Sequence, residues 1–373
     1  AIAAAIEGCG PRAAKAAKAC ATEKSYRFGY ARHVKELVRQ GAYSPQAAIG
    51  SAQKGLDYMY ANFEFVDKDG VSTPFGDAMK GTATVTGRSL KSVKVQGNGK
   101  SSSSYEVPYD GGWHPSAPKP PTSTLSGAAL TKQLDKWAST GIIERDAADA
   151  VQWTSDYVQK NDLKDAHFVL IGAGSAMGPC AKLLELGANV VAIDIPGSWG
   201  KGGKRPASGV WKRLFALADK GGGSLTVPVD STSRATNRDR DALAEAAGCD
   251  LMMEPREIGD WLKDWVQTLP KKARVCIGNY AYLDGALHVK LALCADYLIQ
   301  TVLEASSRLD KPAACAFLCT PTDAHLVPEE VAQAASDNFD SRLLKSFGLE
   351  KVFNLLTMGS KLRPNVEKPP KNT

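Results

Sequence analysis

The residues best suited to chemistry lie between His167 and Pro179, which read His-Phe-Val-Leu-Ile-Gly-Ala-Gly-Ser-Ala-Met-Gly-Pro. An apolar run delivers Gly172 and Gly174 into the segment that follows. A glycine pair directly after a buried strand permits a tight turn and lets a diphosphate approach the backbone. A helix opening behind the pair, expected from about Ala176 to Leu186, aims its free N–H groups and positive end at that anion. Ser175 and Met177 sit in the same loop, and Gly178 falls where a side chain would obstruct packing of helix on strand. Asp194 ends the next apolar run, where an acid receives ribose hydroxyls. The pattern predicts a dinucleotide site. Asp194 favours NAD, because a carboxylate repels a 2′-phosphate. Lys201, Lys204 and Arg205 follow in a glycine-rich stretch and could hold that phosphate, so NAD and NADP both stay open.

A second group of reactive side chains lies in Gly278-Asn-Tyr-Ala-Tyr-Leu-Asp-Gly-Ala-Leu-His-Val-Lys290. Asp284 and His288 are four apart. On one face of a helix start the carboxylate could orient the imidazole as a general acid/base. The alternative is that Asp284 caps the helix and His288 only packs. Tyr280 and Tyr282 are candidate proton donors, and Asp323 and His325 a weaker pair. The eight cysteines form no CxxC pair and no cluster with zinc spacing, so reduced thiols and no metal are expected.

These residues need a scaffold. From Leu163 onward short apolar runs alternate with segments of helical length: strands are expected at His167–Ile171, Asn189–Ile193, Ser224–Val229, Asp250–Met253, Arg274–Ile277 and Ala314–Leu318. Helices are expected at Asp241–Ala247, Ile258–Thr268 and Gly285–Ser306. Six strands joined by crossover helices imply an α/β fold with a doubly wound parallel sheet. The glycine pattern and this alternation resemble the NAD(P)-binding Rossmann-fold superfamily, nearest its short-chain and saccharopine dehydrogenase-like branches, over roughly residues 163–325. The resemblance implies that Asp230 and Ser231, after the third strand, contact adenine. It does not supply a reaction, because the Tyr-x-x-x-Lys pair of short-chain dehydrogenases is absent: Ala286 lies four residues after Tyr282, and Asp284 four after Tyr280.

Upstream, Ser44-Pro45 reads as an N-cap and first helical residue, opening a helix to about Tyr60. Tyr30–Arg39 reads as a helix before it, Thr82–Gly87 and Ser92–Gln96 as extended pieces after it. Gly111–Leu125 is a Pro/Ser/Gly-rich loop. Gly127–Ala138 and Arg145–Gln159 form a helical hairpin. The expected organisation is a disordered basic arm (1–25), a separate N-terminal α+β region (26–125), the hairpin (126–160), the Rossmann domain (161–335), C-terminal helices (336–360) and a disordered tail (361–373).

Charge narrows the classes of partner. Residues 1–150 hold 19 Lys/Arg against 14 Asp/Glu, too diffuse a surplus for nucleic acid but enough to favour an acidic protein partner. No apolar run suggests an integral membrane protein. Ala1–Lys24 is rich in Ala and Lys and poor in acids, like the border of an organelle transit sequence, so plastid or mitochondrion is expected, with the cytoplasm as the alternative. Two functions remain: an NAD(P)-dependent oxidoreductase with a non-standard acid/base built on His288, Asp284 and Tyr282, or a catalytically inactive dinucleotide-binding accessory subunit of a larger assembly, docked through its N-terminal region and tails.

Overall fold

The computed structural model describes residues 1–81, 86–109, 123–201, 206–317, 327–345 and 349–356. The chain divides into two compact units, one of Ala1–Val66, Val71–Gly81 and Cys319–Thr373, the other of Asp67–Gly70 and Thr82–Leu318.

The first unit begins with α1 (Ile2–Gly8) and α2 (Ala14–Ala21), where a disordered arm is expected from composition. The alanines and glycines explain the difference. A Cβ on Gly8 would lie 2.3 Å from the Gly50 carbonyl oxygen, and one on Gly55 would lie 3.0 Å from the Ala5 Cβ. Small residues thus let α1 and α4 (Pro45–Asn62) approach closely. Ile6, Ala13, Ala17 and Cys20 are buried beside Leu37 of α3 (Tyr26–Gly41). The start of α4 is as expected: the Ser44 hydroxyl accepts from the Ala47 N–H at 3.1 Å and Pro45 opens the helix. The hairpin β1 (Glu64–Val66) and β2 (Ser72–Pro74) follows, then α5 (Phe75–Lys80). Downstream lie α13 (Glu329–Lys345) and α14 (Leu349–Leu356); α13 begins before residue 336, within the stretch expected to belong to the Rossmann domain.

The second unit is built on a six-stranded, mostly parallel sheet. Its strands are β3 (Leu90–Gln96), β6 (Ala166–Ile171), β7 (Asn189–Ile193), β8 (Ser224–Asp230), β9 (Arg274–Asn279) and β10 (Ala314–Phe317). The spatial order is β10-β9-β6-β7-β8-β3, and only β3 runs antiparallel. The count of six is as expected, but the sixth strand is different. Asp250–Met253 turns instead of extending, because the Asp250 carboxylate accepts from the Met252 and Met253 amides at 3.0 and 3.2 Å. The edge is closed by β3, from the segment expected to form a separate region. A short pair, β4 (Val107–Pro108) and β5 (Thr124–Leu125), precedes the helical hairpin α6 (Gly127–Ser139) and α7 (Arg145–Lys160).

Helices cover both faces of the sheet, and strand alternation decides which side chains meet which helices. Leu170, Val190, Ala192, Leu225 and Val227 face α8 (Cys180–Glu185), α9 (Ser208–Lys220) and α10 (Arg240–Ala246), where Trp211 and Phe215 fill the core. Val169, Ile171, Val191, Ile193 and Ile277 face α11 (Pro255–Gln267) and α12 (Ala286–Ala305). Burying each large aliphatic side chain here contributes about 2 kcal/mol. Among the described residues, Ala286–Arg308 is the one helical stretch long and apolar enough to cross a bilayer, and half of it is buried inside the protein. Leu298, Ile299 and Val302 pack against the sheet, which accounts for its apolar character.

Candidate functional site

The carboxyl ends of the parallel strands bring together most of the residues singled out in the sequence. At the end of β6, Gly172 adopts φ +79°, and a Cβ there would lie 2.6 Å from the Ala281 nitrogen. Only glycine meets both demands. The Gly172 and Ala173 amides donate to the Ile193 carbonyl at 2.8 and 3.1 Å, stitching the loop to β7. Two turns follow, closed by Ser175 N–H to Gly172 O and Gly178 N–H to Ser175 O, and Met177 stands exposed. The helix begins at Cys180, later than the expected Ala176. Pro179 explains the delay, because the residue before a proline is driven out of the α region and Gly178 cannot join a helix.

Gly174 serves the protein's own packing. Its missing Cβ would meet Val210 Cγ1 at 2.4 Å and Asp194 Oδ2 at 3.0 Å. Asp194 Oδ2 accepts from the Gly174 amide at 2.6 Å and Oδ1 from the Ile195 amide at 2.9 Å. Arg213 of α9 donates to the Gly174 carbonyl. Burial pushes the Asp194 carboxyl up, against the pull of the two amides and Arg213. Asp194 is therefore a brace between β7 and the glycine loop, with both oxygens already engaged.

Asp230 is also engaged. Its Oδ1 accepts from the Thr232 amide and hydroxyl at 2.8 and 2.6 Å, and its Oδ2 from Arg88 Nε at 3.3 Å. These bonds, Thr232 first, hold its carboxyl below the usual range. The Ser231 amide donates to the Ser89 carbonyl at 2.8 Å. Arg88 belongs to a network absent from the sequence reading. Its Nη1 reaches Glu254 Oε1 and Oε2 at 2.9 and 3.1 Å, and the Thr86 hydroxyl lies between two carboxylates, 2.9 Å from Glu254 and 3.1 Å from Glu257, with one proton to donate to either. Glu254 is 1 % exposed and Glu257 6 %, and Glu257 Oε2 is buried without a hydrogen-bond partner among the described residues. Burial, with Glu254 beside it, pushes the Glu257 carboxyl up. No local pattern announces this network, since Arg88 and Glu254 are 166 residues apart.

The Asp284–His288 pair does not form. Gly285, at φ +62°, is the cap of α12, so Asp284 lies outside the helix and the four-residue spacing loses its meaning. Asp284 instead accepts from the Tyr282 hydroxyl at 2.9 Å. The His288 ring lies 5.2 Å from the Tyr282 ring, and its Nδ1 is buried with no hydrogen-bond partner among the described residues. The bond from Asp284 pushes the Tyr282 phenol up, so it holds its proton near neutral pH. Tyr280 continues the sheet, donating its amide to Ile171 O at 2.7 Å, and its ring covers Gly278. Lys201 is exposed and pairs with Glu245 at 2.9 Å. Lys204, Arg205, Asp323 and His325 lie outside the described residues, as do most of the Gly111–Leu125 loop and the 361–373 tail.

No protein-family model, curated protein or solved structure matches the chain.

Proposed function

We propose that this chain binds a dinucleotide, NAD(H) or NADP(H), at the carboxyl ends of β6, β7 and β8 in a Rossmann-type domain. The observation that carries the reading is topological. Taken in chain order, the parallel strands lie 3-2-1-4-5 across the sheet, the order of Rossmann domains, and it reverses between β6 and β9, beside Gly172. Open α/β sheets bind ligands at such a reversal. The residues fit the diphosphate part of the ligand. The loop turns tightly, the first amides of α8 at Cys180 and Ala181 lack intrahelical acceptors, and Arg213 adds a cation. The two acids fit their expected roles less well: a ribose on Asp194 or an adenine on Asp230 would share carboxylates already bound to Gly174, Ile195, Thr232 and Arg88.

The accessory-subunit reading is favoured over the oxidoreductase by the Tyr282–Asp284 bond. It separates the expected acid/base pair and strengthens the hold of the phenol on its proton. A dinucleotide at 100 times its Kd stabilises by about 2.7 kcal/mol. For a domain of this size that raises the unfolding midpoint by roughly 5–10 °C. Arg213→Gln, exposed and outside the core, should reduce the shift without unfolding the domain. Absence of any shift with all four nucleotides at millimolar concentration overturns the proposal. Hydride transfer by the purified protein would restore the oxidoreductase.

A further inference from the structure

The face of the sheet under α11 changes character towards the amino ends of its strands. Near the carboxyl ends it carries Ile171 and Ile193, inside the core. One register row lower than Val169–Val191–Thr226–Lys94, four neighbouring strands present His167, Asn189, Ser224 and Gln96. The opposite face of the same strands stays apolar at Leu225, Val190 and Val95. The row runs from the exposed Gln96 to the buried Ser224 and the half-buried Asn189 and His167, and its buried polar groups are costly unless they meet polar partners. Ser224 donates to Asn189 at 2.6 Å, Asn189 donates to the Lys164 and Ala166 carbonyls and Gln96 to the Gly223 carbonyl, whereas Thr226, 8 % exposed, makes no side-chain hydrogen bond among the described residues. The His167 ring meets the Trp265 ring edge-on at 5.9 Å, and neither of its nitrogens has a hydrogen-bond partner among the described residues.

His167, Asn189, Ser224 and Thr226 line a cavity of about 420 Å³ between α11 and the β3 edge, walled by Trp261 and Trp265. Trp261 is held by an Nε1–H bond to Ser92 Oγ at 2.9 Å. Lys94 on the sheet side and Asp264 on the helix side both line the cavity; both are exposed at its rim, and neither has an ion-pair partner among the described residues. Burial, then the charge of Lys94, lowers the basicity of His167, which leaves a neutral imidazole on the floor. The volume is within the roughly 300–1,000 Å³ of small-molecule sites. At ~30 Å³ per water-sized group it takes about a dozen non-hydrogen atoms.

We propose that this cavity is a binding site for a free aromatic amino acid, its carboxylate on Lys94, its ammonium on Asp264 and its ring against Trp261 and Trp265. The two opposite charges facing one cavity unpaired select a zwitterion over a simple acid or amine, and the indole wall selects a planar ring. Thr226 and His167 offer hydrogen bonds on the floor. The site lies towards the amino ends of the strands, away from the Gly172 loop, and does not depend on nucleotide binding.

Calorimetric titration of the full chain with L-phenylalanine and L-tryptophan tests this, with 3-phenylpropanoate and phenethylamine as the deaminated and decarboxylated controls. Saturable binding of an amino acid is expected, weakened about tenfold or more by Lys94→Met and equally by Asp264→Asn. Both side chains are exposed, and an unchanged melting curve verifies that each variant folds. Binding should persist in Arg213→Gln. No saturable heat at millimolar ligand with folded protein overturns the proposal. So does equal binding of either control, or indifference to both substitutions.

Discussion

Removing Arg88 should damage the second unit far more than removing an ordinary surface arginine. Its guanidinium is the counter-charge of Glu254, whose side chain is 2 % exposed, and it also bonds Asp230. In Arg88→Met the Glu254 carboxylate keeps the Thr86 hydroxyl and the Asp250 amide, at 2.9 and 2.8 Å, but no cation, with Glu257 nearby. Stranding one partner of a buried ion pair costs about 3–5 kcal/mol. At roughly 2–4 °C per kcal/mol this is a fall in midpoint on the order of 10 °C. All seven tryptophans belong to the second unit, so tryptophan fluorescence during thermal unfolding isolates the effect. Adding Glu254→Gln removes the stranded charge, and the double variant should recover most of the loss through a coupling of about 1–3 kcal/mol. A fall of under 2 °C in the single variant, or strictly additive effects in the double, would refute the reasoning.

Glu257→Gln should raise the midpoint at pH 7, because burial raises the native carboxyl above its unfolded value. Such a group favours the native state at low pH and that contribution is lost as pH rises through the native pKa, so the gain from Gln should vanish on acidification; a constant gain across pH 3–8 would contradict this. Gly172→Ala should destabilise the second unit by about 2–4 kcal/mol in urea unfolding, since it places a Cβ 2.6 Å from the Ala281 backbone at φ +79°. A loss below 1 kcal/mol would mean that the two loops can part.

The central parallel strands were legible because they are short apolar runs buried on both faces, as at Phe168–Ile171 and Val190–Ile193, whereas β10 is largely exposed. Leu251-Met252-Met253 mimics such a run, yet Asp250 supplies the hydrogen bonds that a neighbouring strand would otherwise provide, and the segment turns. Leu90–Gln96 shows its alternation plainly, but nothing in it names β8 as its partner. The N-terminal arm was misread because composition registers alanine as featureless, whereas its lack of bulk is what seats α1 on α4. At the site, the glycine turn was readable from Gly172 and Gly174. The commitments of Asp194, Asp230 and Asp284 were not, because they depend on which backbone amide or side chain arrives nearby. Spacing placed Asp284 and His288 on one helix, and the φ of Gly285 removed it.

The antiparallel edge strand also sets a schedule for synthesis. Gln96 leaves the ribosome well before its register partner Ser224, and the last pair of that ladder forms only once Asp230 has emerged. At 5–20 residues per second the strand waits on the order of ten seconds. Throughout that interval Leu90, Val93 and Val95 are presented on an open edge, the kind of surface that pairs with a neighbouring nascent chain. Lys91 and Lys94 interrupt it. Their charge guards the strand from self-association until β8 arrives, so replacing both with threonine should leave the mature domain folded while lowering the yield of soluble protein during translation.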